Sequence, residues 1–175
     1  MAKQKTINVW IDRLTNSIEN TISGESFPTV ISLVTYSELK SVTKTKGWNF
    51  NWKAELKKND HQVYKLTTRD NPTIIHGLVS LKMEEDHVFV SIIENAPFNI
   101  GKTKLYKGVP ANLFAYACKV SWDLGNQGSV AFVSKTRLIE HYEQSLEAVH
   151  LGNQRMVILP MDALNLIRRY FLNQK

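Results

Sequence analysis

The sequence predicts an α/β fold: a mixed central sheet in which an antiparallel meander is followed by a strand-helix-strand-helix-strand run. Three observations point there. Between residues 63 and 94 apolar residues recur at every second position, punctuated by the turns Asp70-Asn71-Pro72 and Glu84-Glu85-Asp86. Beyond Gly108 strand-like and helix-like periods alternate. A 43% apolar content in 175 residues, with seven Phe, six Tyr and four Trp, suffices for one domain with a real core, spanning 1–175.

Taken in order, Ile7, Trp10, Ile11, Leu14, Ile18 and Ile22 recur at three- and four-residue steps and predict an extra N-terminal helix over 6–22, ended by Gly24. Thr29 to Val34 is β-branched and reads as a first strand. A long connection then carries Leu39, Val42, Trp48, Phe50, Trp52 and Leu56 among six lysines. The meander comprises Val63–Thr67, Thr73–Met83 (broken once by Gly77) and His87–Glu94, and Pro97 and Asn99 close it.

Pro110 suits the first turn of a helix over 110–124 with Leu113, Phe114, Ala117, Cys118 and Ser121 on one face. Ser129–Val133 is the next strand, expected to lie parallel and adjacent to 88–94 because a whole helix separates them, with the two splaying apart at their C-terminal ends. Thr136 is a helix N-cap, and Leu138, Ile139, Tyr142, Leu146 and Val149 form the stripe of a helix ended by Gly152. Arg155–Leu159 is a strand, and a C-terminal helix over 162–172 faces Leu164, Ile167 and Phe171 inward.

Composition narrows the function. The lone Cys118 cannot form an internal disulfide, and the N-terminal apolar residues are interrupted by Asp12, Arg13 and Glu19, so neither a secretory leader nor a membrane span is expected. A cytoplasmic protein is the default. The net charge of +6 and the aromatic-lysine stretch 40–58 could serve nucleic acid. No zinc-finger spacing, sustained heptad or arginine-rich tail supports that, and the aromatics are better read as anchors pinning a loop to the core. His76, His87, His141 and His150 show no zinc-like spacing with one another or with Cys118, so no metal is expected.

The stretch Leu105-Tyr106-Lys107-Gly108-Val109-Pro110-Ala111-Asn112-Leu113-Phe114, followed by Leu138-Ile139-Glu140-His141-Tyr142-Glu143-Gln144-Ser145-Leu146-Glu147-Ala148, resembles the cofactor segments of the GCN5-related N-acetyltransferases. The resemblance is best over 61–159. It implies an acyl-CoA N-acyltransferase-like domain that carries an acetyl or short acyl group from acetyl-CoA to a primary amine. The acceptor, small molecule or protein, is left open, and a homodimer is admitted. Backbone N–H groups at a helix N-terminus suit a diphosphate. By this resemblance Gly108, Val109, Ala111, Asn112 and Leu113, with Lys104 and Lys107, would hold the pyrophosphate. Ile92, Ile93 and Asn95 would line the opening of the sheet, and Lys135 falls near a position where the family often has asparagine. Glu94 is the candidate carboxylate for the amine. Tyr142 is the candidate acid for the leaving thiolate, so that Tyr142→Phe would keep near-native stability and lose turnover. Leu105, Pro110, Lys135 and Glu147 depart from the family pattern and suit a non-catalytic binding module on the same fold. A nucleic-acid-associated accessory protein is the third reading.

Overall fold

The computed structural model describes residues 4–172, and in it nine strands make one sheet. A hairpin of β1 (Ser17–Asn20) and β2 (Ser26–Leu33) leads to the meander β3 (His61–Thr68), β4 (Gly77–Met83) and β5 (Val88–Asn95). The short β6 (Tyr106–Lys107) returns to pair with β1. The last three strands are β7 (Val130–Val133), β8 (Val149–Gly152) and β9 (Arg155–Ile158). The spatial order is β6-β1-β2-β3-β4-β5-β7-β9-β8. Neighbours are antiparallel throughout, except that β5 and β7 run parallel, as expected for strands joined through a helix. The helices are α1 (Trp52–Leu56), α2 (Val109–Asp123), α3 (Ile139–Leu146) and α4 (Pro160–Ile167), the last continued by a π-helical turn at Arg168–Leu172.

Period-two alternation sends neighbouring side chains to opposite faces of the sheet. Tyr64, Leu66, Val79 and Val90 join Phe114, Tyr142, Leu146 and Ile167 in the larger core cluster. Val63, Leu78 and Ile92 join Leu39, Val42, Trp48 and Trp52 in the smaller one. Trp48 and Trp52 are therefore loop anchors whose rings are buried. Lys53 and Lys57 lie over the exposed ring of Tyr36, each 5.6 Å from its centroid.

Two predicted helical segments are extended instead. Over 6–22 there is no helix: residues 7–12 form an extended strap, and Ser17–Asn20 is β1. Ile7, Val9 and Ile11 are buried while Asn8 and Trp10 point outward, a period of two that the three- and four-residue spacing concealed. Trp10 and Ile22, expected to face inward, are exposed. Likewise Val149–Gly152 is strand β8. The helix before it ends at Glu147, whose left-handed backbone (φ 54°) forms the C-cap and turns the chain into the β8–β9 hairpin. The strand expected over 73–83 begins only at Gly77, and the final helix starts two residues before the predicted 162, with Pro160 in its first turn.

Candidate functional site

The distinctive feature of the sheet is how briefly its two parallel strands stay together. β5 and β7 are paired at Val88–Val130 and Phe89–Ala131 and then part. Just beyond, Ser80 opposes Ile92 while Leu81 opposes Val90, so Ser91 bulges out of the β4–β5 ladder. A bulge bends and twists its strand, which steers the end of β5 away from β7. The gap opens into a cavity of about 970 Å³ whose walls include Ile93, Glu94, Asn95, Lys104, Lys135 and Arg137.

The strap enters this gap. Ile7 donates its N–H to the carbonyl of Val133 (2.6 Å), and Lys135 donates its N–H to the carbonyl of Ile7 (3.2 Å). The opposite edge of β7 is taken by β9, and Ile7 bridges Ser134 in parallel at the end of β7 on the side that faces β5. Side chains of Tyr142, His141 and Arg137 then hold the strap. The Tyr142 hydroxyl donates to the Val9 carbonyl (2.6 Å) and accepts from the Val9 N–H (3.1 Å). Nε2 of His141 accepts from the Ile11 N–H (2.8 Å), and the His141 ring stacks on Trp10 with centroids 3.8 Å apart. Arg137 donates to the side-chain oxygen of Asn8 (2.7 Å). At the far end, the Asp12 carboxylate accepts from the N–H of Gly108 (2.9 Å), which caps α2, and from Lys104 Nζ (2.7 Å). An internal carboxylate thus sits where the helix N-terminus favours negative charge.

The predicted residues divide accordingly. Gly108 has a left-handed backbone (φ 99°), and a Cβ there would lie 3.0 Å from the Ser17 carbonyl oxygen. Gly108→Val therefore introduces both backbone strain and a clash. Val109, Ala111 and Leu113 bury their side chains in the larger core cluster. The Asn112 side-chain amide is committed to structure: its Nδ2 donates to the carbonyls of Gly108 (2.7 Å), Thr15 (3.2 Å) and Ser17 (3.4 Å), stapling α2 to β1. Lys107 pairs with Glu19 in the β1–β6 ladder.

At the opening, Ile93, Glu94, Asn95, Lys104 and Lys135 all face the cavity, whereas Ile92 packs in the smaller core cluster. Glu94 is only 4% exposed, and its carboxylate accepts from the N–H groups of Asn49 (2.5 Å) and Phe50 (3.4 Å) and from Trp52 Nε1 (2.7 Å). It anchors the connection between β2 and β3 against the end of β5. Tyr142 is fully buried, and burial holds its phenol well above the ordinary tyrosine value, only partly offset by the bond to Val9. A phenol held this way is a weaker acid than usual, and both of its hydrogen bonds go to the strap.

Asp12, His141 and Trp10 did not emerge as site residues from the sequence, although the alternation Ile7-Asn8-Val9-Trp10-Ile11-Asp12 carried the signal. Among the described residues no group of His, Cys, Asp and Glu could hold a metal ion, and no helix is long and apolar enough to cross a membrane.

No family model matches this sequence, and no curated protein does. Solved structures do match. Mutant forms of the spermidine/spermine N-acetyltransferase SpeG from Vibrio cholerae superpose with a TM-score of 0.57 at 15% identity, over 78% of this chain and 96% of theirs. The same organism's spermidine N-acetyltransferase in complex with CoA and spermine gives 0.55 at 15% identity, over 78% and 98%. Its dodecameric form in an intermediate state gives 0.52 at 15% identity, over 78% and 96%. At this identity the likeness is one of fold: the chain has the mixed sheet and strand-helix-strand-helix-strand order of the acyl-CoA N-acyltransferases.

Proposed function

We propose that this chain is a divergent acyl-CoA-dependent N-acyltransferase acting on an amine, and that its N-terminal strap and the acyl-CoA compete for one opening. The observation that carries the reading is the parting of β5 from β7 at the Ser91 bulge, beside a cavity of about 970 Å³. The free edge of β5 offers backbone groups to a thioester, and the N-terminus of the fifteen-residue α2 offers N–H donors to a phosphate. Asp12 and Lys104 already satisfy each other and the Gly108 N–H there, so a diphosphate enters as Asp12 leaves.

Calorimetric titration with CoA and acetyl-CoA, comparing the native chain with Asp12→Ala, tests this. Removing the competing carboxylate frees both donors and removes an anionic rival, so Asp12→Ala is expected to bind CoA roughly ten-fold more tightly, about 1.4 kcal/mol. Hydrogen exchange of the amides of residues 7–12 should quicken when CoA is added to the native chain. Thiol release against a panel of amines then tests turnover.

A second reading is favoured by one observation: the Tyr142 hydroxyl, the candidate acid, is fully buried on Val9. With the strap permanently in place the chain would be a binding module on the same sheet, its cavity open and its acid sequestered. Unchanged CoA affinity in Asp12→Ala, with no quickening of exchange in the strap, selects this reading over the first.

A further inference from the structure

The charges around the cavity do not balance. Lys5, Lys104, Lys135 and Arg137 line it against the single carboxylate Glu94. That carboxylate already accepts from three N–H donors of the β2–β3 connection, which occupy most of its acceptor sites. Two of the four cations are neutralised from outside the cavity, Lys5 by Glu55 (3.0 Å) and Lys104 by Asp12 (2.7 Å). Lys135 and Arg137 meet no carboxylate among the described residues, and the hydrogen bond that Arg137 makes goes to the neutral side chain of Asn8. On the same cavity Asn95 presents a carboxamide whose Oδ1 is buried with no hydrogen-bond partner. A rotation about χ2 turns that oxygen toward a ligand N–H, since this torsion is soft.

We propose that the cavity binds a small primary amine bearing an oxyanion, with the oxyanion on Lys135 and Arg137 and the amine side toward Asn95, and that this molecule is the acyl acceptor. A guanidinium and an ammonium suit a carboxylate or phosphate, the first through paired N–H bonds. A polyamine, by contrast, meets like charge on the walls and a single carboxylate already engaged by three N–H donors. The role as acceptor rests on the acyltransferase reading above; the binding does not. In the transfer the neutral amine nitrogen uses its lone pair to form a C–N bond to the thioester carbon. The C–S bond breaks, its electron pair leaves on sulfur, and the proton lost by the amine is returned to that sulfur through water as free thiol.

The test is calorimetric titration of the full chain without CoA. The probes are 4-aminobutyrate, glutamate, phosphoethanolamine, spermidine and butylamine. At least one oxyanion-bearing amine is expected to bind at least ten-fold more tightly than spermidine and butylamine, and the amino carboxylates against phosphoethanolamine tell carboxylate from phosphate. Lys135→Ala and Arg137→Ala alter a half-buried and an exposed side chain, so folding, checked by circular dichroism, is expected to hold. Each should weaken that binding about ten-fold, with Arg137→Lys losing less. Spermidine binding as tightly as the oxyanions, absence of binding by every oxyanion probe, or oxyanion binding indifferent to both substitutions overturns the proposal. So does a result in which both substitutions weaken CoA but spare the amino acids, because the cations would then belong to the nucleotide. Oxyanion binding without thiol release on adding acetyl-CoA upholds the site and overturns the acceptor role.

Discussion

Tyr142 shows how one atom can change a residue's part in the fold. A hydroxyl on a helix stripe could serve as an acid at the rim of a cleft, and then its removal would touch turnover alone. Here it closes a two-way hydrogen bond with both backbone groups of Val9, in a fully buried place. Tyr142→Phe keeps the ring against Phe114 and Phe132 but leaves a buried N–H and C=O without their partner. Such groups cost about 1–3 kcal/mol when orphaned. We expect chemical denaturation to report a loss of that size, with faster amide exchange at Val9. A variant as stable as the native chain would mean that the strap finds other partners. Glu94 follows the same logic: a carboxylate at a strand end, which reads as catalytic or solvated, is instead gripped by three donors of a distant loop.

The strap, as an element, is held by contacts of two kinds. Burial of Ile7, Val9 and Ile11 supplies the general attraction, roughly 1.5–3 kcal/mol for each side chain fully removed from water. The hydrogen bonds set its register, and one of them is pH-sensitive. His141 accepts from Ile11 through Nε2, which requires the neutral ring. Burial lowers the pKa of this histidine below its ordinary value. Its contribution is therefore fully present above the unfolded value near 6.5 and is lost as the pH falls through the lower folded value. Acid should loosen the strap locally: Trp10, stacked on His141, should change its fluorescence and Ile11 its exchange rate as the pH is lowered below the ordinary histidine value. His141→Leu should remove that dependence. A response unchanged in His141→Leu would assign it to another group.

For the whole molecule, the two core clusters lie on opposite faces of the sheet, and a buried histidine sits at its rim. His76 is 3% exposed between Phe98 and Tyr106; its Nδ1 accepts from Asn99, whose side chain also holds the N–H of Tyr106. This junction fixes the loop that forms one wall of the cavity. Burial pushes the His76 pKa down to about 4. Its stabilising effect is complete above about pH 6.5 and fades as the pH falls toward 4, a change on the order of 3 kcal/mol. Urea denaturation at pH 7 and pH 4 should show a drop of that order, much reduced in His76→Gln. Equal pH dependence in the two proteins would place the acid sensitivity elsewhere, for instance at Glu55. That carboxylate, although burial raises its pKa, is lowered on balance by its hydrogen bonds with Lys58, Lys5 and Ser80.

The residues by themselves determined the meander, the parallel pair and helix α2. Those features follow from local period, turn chemistry and the length of chain between strands, all of which lie in neighbouring residues. The anchoring of Trp48 and Trp52 was legible as well, from aromatics interleaved with lysines. What only the tertiary structure decided is the state of residues 7–12. Ile7, Ile11 and Leu14 satisfy a helical step while Ile7, Val9 and Ile11 satisfy an extended one, and nothing local separates the two. The choice is made by groups more than 90 residues away: the unpaired edge of β7, the Tyr142 hydroxyl, the His141 ring and the Gly108 N–H. An unsatisfied sheet edge and an uncapped helix N-terminus each demand a partner, and in this fold one extended segment answers both.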